Sequence, residues 1–446
     1  MNARAIETDL TQAVETETMR PIQIGVVTVC LLINLCDGFD VLLIAFTAAS
    51  IAEEWQLDSG QLGIVFSAAL FGMTLGALFL SSLADYIGRR RMTLVSLTCI
   101  GVAMIMTAQV STVTELMWLR FATGLGIGAI LPGINSMVAE YSPRRLRNFS
   151  LAMMHVAYPG GALLSGFVVI LLLEPYGWRS IFMIGGVVSL LLVPVVWIWV
   201  PESLQYLNYR RPANVLRRVN EILPKLGHGV LSRMPPLVAR SEAPGVMGLF
   251  SSKFRTWTLL YWIAFFAAFL SLYLVLSWTP KLVVEHGHSN HDGVYVGMLM
   301  NAGALIGTPS LGWISLRLGL RRVLIGYSIA ASALIVALAL SLGSLPWLYM
   351  IAFPLGLFLV GIPPGIYAIG ARMYPAALRS TGVGVAIGVG RLGAIAGPTL
   401  AGGALLFGWS PLIFMTLLGT MPLLVVAAAV SGIRASELGP VLTEKT

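Results

Sequence analysis

The chain has 446 residues, of which 57% are hydrophobic and only 11% charged, with a mean hydropathy of +0.85. Soluble domains carry about a quarter charged residues, so this composition excludes a water-exposed globule and makes lipid the solvent. The formal net charge of +8 raises nucleic acid as a partner, but the placement of the charges argues against it.

Met1–Pro21 is polar and acidic, with no basic leader and no small-residue cleavage site, so it reads as a cytoplasmic tail over 1–22 rather than a signal peptide. After it come apolar runs of the length that crosses a bilayer, about 20 helical residues each. Twelve spans are predicted: 23–51, 59–82, 93–111, 114–140, 148–173, 178–200, 256–280, 293–316, 322–343, 345–372, 380–407 and 409–431. Membrane barrels, with their weak alternation, do not contain such runs. The expected class is therefore an all-α membrane protein. Cys30, Cys36 and Cys99 all fall inside spans, where an odd number of thiols reads as apolar packing rather than a disulfide framework or a metal site.

Basic residues collect in alternate loops: Arg89–Arg91, then Arg144, Arg145 and Arg147, then a run from Arg210 to Arg255, then Arg317, Arg321 and Arg322. The intervening loops hold Glu53, Glu54, Asp58 and Glu115, with Arg179 and Lys281 as exceptions. Positive loops stay cytoplasmic, which puts both termini inside. The stretch 201–255 is a basic, proline-containing linker with one amphipathic helix expected around Asn214–Leu226; it divides six spans over 23–200 from six over 256–431, leaving a tail at 432–446. An internal repeat supports that division. Pro143, Leu146 and Arg147 recur as Pro375, Leu378 and Arg379 at one offset; Gly88 with its arginines recurs as Gly319 with Arg321 and Arg322; Gly177-Trp178 recurs as Gly408-Trp409. Two pseudo-symmetric six-helix halves around a midplane cavity are the architecture of secondary transporters.

Asp37 and Asp40 lie three apart on one face of an apolar span. An ionised carboxylate at that depth costs several kcal/mol unless compensated, and two neighbouring acids repel, so one of them is suited to carrying a proton. The alternative is a structural hydrogen-bonded pair. Asn34, one turn earlier, either bonds Asp37 or makes a helix–helix contact. Arg391, mid-way along span eleven, requires an anionic partner, and its fork matches a carboxylate of a ligand or of the protein. Arg120 in span four reads as an interfacial snorkelling side chain when taken alone. His155 is balanced between a proton site and packing. Phe39, Tyr158, Tyr261, Phe265, Trp278 and Tyr367 are candidate cavity aromatics. The loop histidines His286, His288 and His291 with Asp292 read as solvated rather than metal-binding. Glycines from Gly382 to Gly397 read as sites of close helix approach.

Asp85-Tyr86-Ile87-Gly88-Arg89-Arg90-Arg91 resembles the loop between spans two and three of the major facilitator superfamily, which reads Gly-x-x-x-Asp-Arg-x-Gly-Arg-Arg. Ser81 and Tyr86 depart from that pattern, and in the second half Leu316 stands at the Asp position. Asp37-Gly38-Phe39-Asp40 and the segment from Tyr374 through Arg391 to Pro398 resemble the aromatic acid:proton symporter family within it, and Arg120 with Gly124, Gly126 and Gly128 resembles the span four motif common to proton-coupled members. Pro201-Glu202-Ser203 is widespread in the superfamily and adds little. The resemblance implies a major facilitator fold, and symport of a small aromatic carboxylate with protons across the bacterial inner membrane, without a cofactor beyond the proton gradient. A monomer is the expected unit. Proton coupling then falls to Asp37, Asp40 and Arg120; substrate contacts to Arg391, Phe39, Asn34, His155, Tyr158, Trp278 and Tyr367; gating to Asp85, Gly88, Arg89, Glu140, Arg147 and Arg379, the last three through ion pairs at cytoplasmic helix ends. Rival expectations are a non-aromatic carboxylate such as muconate or sialic acid, and a membrane-embedded enzyme or sensor. No hydrolase, metalloprotease or phosphate-loop motif supports the latter.

Overall fold

A computed structural model describes residues 10–15, 18–236, 246–251 and 254–433. The expected tail beyond 433, the first nine residues and the linker segment 237–245 lie outside the described residues. Among these, eleven helices are long and apolar enough to cross a membrane. One of them, Arg144–Trp199, is broken at Gly177 (φ 72°) and makes two crossings, spans five and six. Twelve spans result. Helices satisfy their own backbone polar groups, which is what a span in lipid requires.

Span one is Pro21–Trp55, span two Ser59–Ile87, span three Arg89–Thr107 and span four Val113–Tyr141. Spans seven to twelve are Arg255–Glu285, Asn290–Leu318, Leu320–Leu340, Leu345–Met373, Ala376–Leu406 and Pro411–Gly432. Spans four and eight open with capping boxes, Thr112 with Glu115 and Ser289 with Asp292, which fix their first turns.

The pseudo-symmetry predicted from repeated loops is also written in the packing. A Cβ on Gly38 of span one would overlap the Tyr158 carbonyl of span five, and one on Gly161 would overlap the Leu35 carbonyl. Gly393 and Gly397 of span eleven stand likewise against the backbone of span seven at Phe266 and Leu270. Gly72 and Gly76 of span two abut span four at Phe121 and Leu125, while Gly303 and Gly307 of span eight abut span ten at Phe353 and Leu357. Spans one and five, two and four therefore reappear as seven and eleven, eight and ten. In lipid, contact of this kind replaces the hydrophobic drive that water supplies elsewhere. Gly38→Ala should accordingly cost about 1–3 kcal/mol, as overpacking does. Gly160→Ala, where an added Cβ meets nothing within 4 Å, should be neutral. Melting of the two purified variants tests this.

By contacts the chain forms two compact units that do not follow the sequence halves: Met1–Asp40, Gly72–Gly161 and Arg179–Ser241 form one; Val41–Phe71, Ala162–Trp178 and Glu242–Thr446 form the other. The reason lies in the second unit, where the far ends of spans one, two and five pack on the C-terminal spans. Ser67 donates to the Ile395 carbonyl (2.8 Å) and pairs with Thr399 (2.7 Å). Phe66 meets Trp278 edge to face at 5.4 Å. Gly166 abuts Met298, Gly297 abuts Phe46, and His291 lies 3.5 Å from Glu174.

In the first unit, the described parts of the tail and linker are built into the core. Leu10 and Val14 of a short 3-10 turn cluster with Tyr141, Leu204, Leu207, Val219 and Ile222. Gln23, fully buried, ties this turn to span four by donating to the Val14 and Tyr141 carbonyls. The expected amphipathic linker helix is Val215–Ile222, continued by a 3-10 turn through Leu226.

Candidate functional site

Asn34, Asp37 and Asp40 of span one are buried, each 6% exposed or less. They have different surroundings. Asp40 receives both arms of Arg120, Nη1 to Oδ1 at 2.9 Å and Nη2 to Oδ2 at 2.7 Å, with neither side chain more than 2% exposed. The Arg120 guanidinium also lies 5.5 Å from the Phe182 ring. Snorkelling is therefore not what Arg120 does; it is sealed in the bundle and bidentate, the strong form of the pair. Asn34 donates to the Met154 carbonyl of span five at 2.6 Å, so its amide secures a helix crossing, not a ligand. Phe39 packs its ring edge on Gly185 of span six. Tyr158 is half-buried beside Gly38, and His155 is exposed.

In the second unit, the aromatics align. Tyr261, Phe265, Phe269 and Tyr273 recur every four residues along span seven, with ring centroids 5.0, 5.8 and 6.0 Å apart in succession. Tyr367 of span ten meets Phe265 edge to face at 5.0 Å, and it lies within the field of the Arg391 guanidinium. Tyr261 and Phe265 are fully buried and Phe269 nearly so, whereas Tyr273, Tyr367 and Arg391 keep accessible surface. Gly384 and Gly388 share a helix stripe with Arg391, and an added Cβ at either meets nothing within 4 Å. Open space thus lies one and two turns from Arg391 on its stripe. Trp278, expected at the ligand, is fully buried and donates to the Pro398 carbonyl at 3.0 Å, so it packs helices instead. Phe269 and Tyr273 are missing from the sequence expectations; their four-residue spacing with Tyr261 and Phe265 is the signal that points to both.

At the end nearest the termini, Arg89 binds Glu140 at 2.6 Å. Glu140 also accepts from the Ser203 hydroxyl and the Gln205 amide, both at 2.7 Å. Gly88 (φ 104°) leaves room for the Glu202 carboxylate, which accepts the Arg90 amide at 3.0 Å. Burial pushes the Glu202 carboxyl above its ordinary value, against the pull of the Arg90, Ser203 and Arg89 amides. Pro201-Glu202-Ser203, uninformative as a family signature, is thus the partner of the Gly88–Arg90 turn. Tyr86, at the family's Arg position, carries Arg210 at 4.0 Å over its ring, and Arg210 donates to the Asp85 carbonyl. The corresponding turn of the second half differs: at Gly319 no neighbour fills the space, and Leu316 is 68% exposed. Arg147 reaches Glu15 of the N-terminal segment at 3.6 Å, while Arg379 is exposed, without an ion-pair partner among the described residues. Since Asp85 is exposed and Glu140 holds Arg89, Ser203 and Gln205 together, Glu140→Gln should lower the melting temperature of purified protein and Asp85→Asn should not.

The loop histidines go separate ways, His286 to the Leu282 carbonyl, His288 to that of Leu342, and His291 to Glu174. Among the described residues no cluster could hold a metal ion.

A twelve-span repeat with a carboxylate–arginine pair in one unit and a half-exposed arginine among aromatics in the other invites comparison with known proteins. The sequence matches the Major Facilitator Superfamily over residues 30–398. The chain belongs to that family. It is a transporter and not an enzyme. Relatives in the superfamily include the 4-hydroxybenzoate transporter PcaK of Acinetobacter baylyi, 33% identical over 420 residues, covering 92% of this chain and 90% of the relative. The gallate transporter of Pseudomonas putida is 32% identical, covering 91% and 90%. In fold, the chain is similar to the xylose transporter XylE from E. coli, solved in an inward open conformation, with TM-score 0.72 at 16% identity over 93% of this chain and 98% of that one.

Proposed function

We propose that this superfamily member imports a small aromatic carboxylate together with protons, by alternating access, as a monomer in a bacterial cytoplasmic membrane with both termini inside. The observation that carries the reading is Arg391, half-buried in mid-span beside Tyr367 and the accessible end of the span seven stripe, with open space at Gly384 and Gly388. A guanidinium matches a carboxylate by two parallel hydrogen bonds, and flanking rings receive an aromatic body edge to face. The relatives named for 4-hydroxybenzoate and gallate carry acids of that chemistry.

The proton acts at Asp37, with the Asp40–Arg120 pair holding the neighbouring charge fixed. Symport requires that each ligand favour binding of the other, a coupling that is reciprocal. The coupling needs the anion to bind more tightly to the state in which Asp37 is protonated.

The test is uptake of labelled 4-hydroxybenzoate by proteoliposomes under an inside-alkaline gradient, with unlabelled acids as competitors. Benzoates should compete and collapse of the gradient should abolish accumulation. Competition by muconate or sialic acid alone, or uptake indifferent to the gradient, would sink the proposal.

A further inference from the structure

A cavity of about 740 Å³ opens in the first unit among the ends of spans one, three and six and the linker helix Val215–Ile222. Four cations line it: Arg90 and Arg91 from the start of span three, and Arg218 and Lys225 from the linker. Two carboxylates, Glu202 and Glu221, also line it, but both are engaged. Glu221 pairs with Arg217 at 3.1 Å, and Glu202 accepts the Arg90 and Ser203 amides. The cavity is therefore electropositive. Arg90 adds an unmet donor. Its guanidinium lies 5.2 Å from the Trp197 ring centroid and donates to the Trp197 carbonyl, yet its buried Nε has no hydrogen-bond partner among the described residues. A buried guanidinium N–H without an acceptor is costly, and an anion in the cavity would supply one.

The mouth of the cavity identifies the anion's source. Trp197, Ile198 and Trp199 are 65%, 74% and 58% exposed at the end of span six. Indoles at a span end mark the headgroup level of a bilayer, and an exposed isoleucine between them faces acyl chain. The linker helix packs Val219 and Ile222 on the core of this unit, leaves Arg217 and Glu221 exposed, and puts Arg218 on the cavity wall. A site for a soluble anion needs the cations alone. Cations backed by lipid-facing indoles match a phosphate that arrives attached to a diglyceride.

We propose that this cavity binds the headgroup phosphate of an anionic phospholipid, with its chains leaving along Trp197 and Ile198. The site is separate from Arg391 and Asp37 and does not depend on what is transported.

Native mass spectrometry of the purified full chain with equal amounts of phosphatidylglycerol and phosphatidylethanolamine tests this. The wild type should retain phosphatidylglycerol preferentially. The Arg218→Gln/Lys225→Gln double variant should lose that preference, by about fivefold for each cation removed. Arg218→Lys/Lys225→Arg, with the charges kept, should hold it. Arg91→Gln, at an exposed position, gives the same readout if the double variant yields no folded protein. Equal retention of the two lipids by the wild type, or unchanged retention of phosphatidylglycerol by the Gln variants, overturns the proposal. So does displacement of phosphatidylglycerol by millimolar inorganic phosphate, which would make this a soluble-anion site.

Discussion

Asp37→Asn is expected to abolish accumulation of an aromatic acid above equilibrium while leaving exchange of labelled for unlabelled acid intact. A pH difference of one unit supplies about 1.4 kcal/mol per proton, enough for about tenfold accumulation, so a carrier that has lost its proton site falls from that ratio to unity. Asparagine mimics the protonated carboxyl in shape and charge, and a side chain fixed in that state lets the substrate pass both ways without drawing on the gradient. Exchange therefore separates lost coupling from lost folding. Asp40→Asn is a poorer probe of coupling, because it strands the fully buried Arg120 guanidinium. Removing one partner of a buried pair costs about 3–5 kcal/mol, so that variant should melt early and carry little of anything. Arg120→Gln added to Asp40→Asn should recover stability without recovering accumulation. Full accumulation by Asp37→Asn would remove Asp37 from the coupling scheme.

Much of this is legible in the residues. Length and hydropathy of the runs predict the helices, because in lipid a span has no other way to satisfy its backbone. The repeated loops predict the pseudo-symmetry, which the glycine contacts of spans one and five, and seven and eleven, carry into the packing. Charge burial is legible only in part: a carboxylate at membrane depth requires compensation, but the group that compensates Asp40 is Arg120, which taken alone reads as interfacial. What the sequence does not disclose depends on which side of a helix faces which neighbour. Asn34 and Trp278 are polar or aromatic at the right depth, but their partners are the Met154 and Pro398 carbonyls. Depth follows from position along a span; azimuth follows from packing, and a span apolar all round has almost no amphipathic signal to set it. The N-terminal segment escapes for a different reason. Leu10 and Val14 are two apolar residues in a polar stretch, too few for a periodicity, and their burial comes from packing against span four and the linker.

Arg391→Gln is expected to abolish both uptake and binding of an aromatic acid, and Arg391→Lys to weaken binding while keeping it measurable. Truncating one member of a hydrogen-bonded buried charge pair costs about 2–5 kcal/mol, roughly thirtyfold to several thousandfold in affinity. Lysine keeps the charge and gives up the planar fork, so the loss should fall toward the lower figure. Arg391 has accessible surface and its neighbours at Gly384 and Gly388 leave space beside it, so the shorter side chains fit without displacing helix backbone. Tyr367→Phe keeps the ring that meets Phe265 at 5.0 Å and removes only the hydroxyl. Its expected cost is that of one hydrogen bond, about 0.5–1.5 kcal/mol, or up to about tenfold in affinity. Calorimetric titration of purified variants with 4-hydroxybenzoate measures the series, with melting temperatures as the check on folding. The ordering is the discriminating feature. If a substrate carboxylate binds at Arg391, affinity should be lowest for Arg391→Gln, higher for Arg391→Lys and highest for Tyr367→Phe. A purely structural arginine would instead depress melting temperature in the same order and leave the affinity of whatever protein remained folded unchanged.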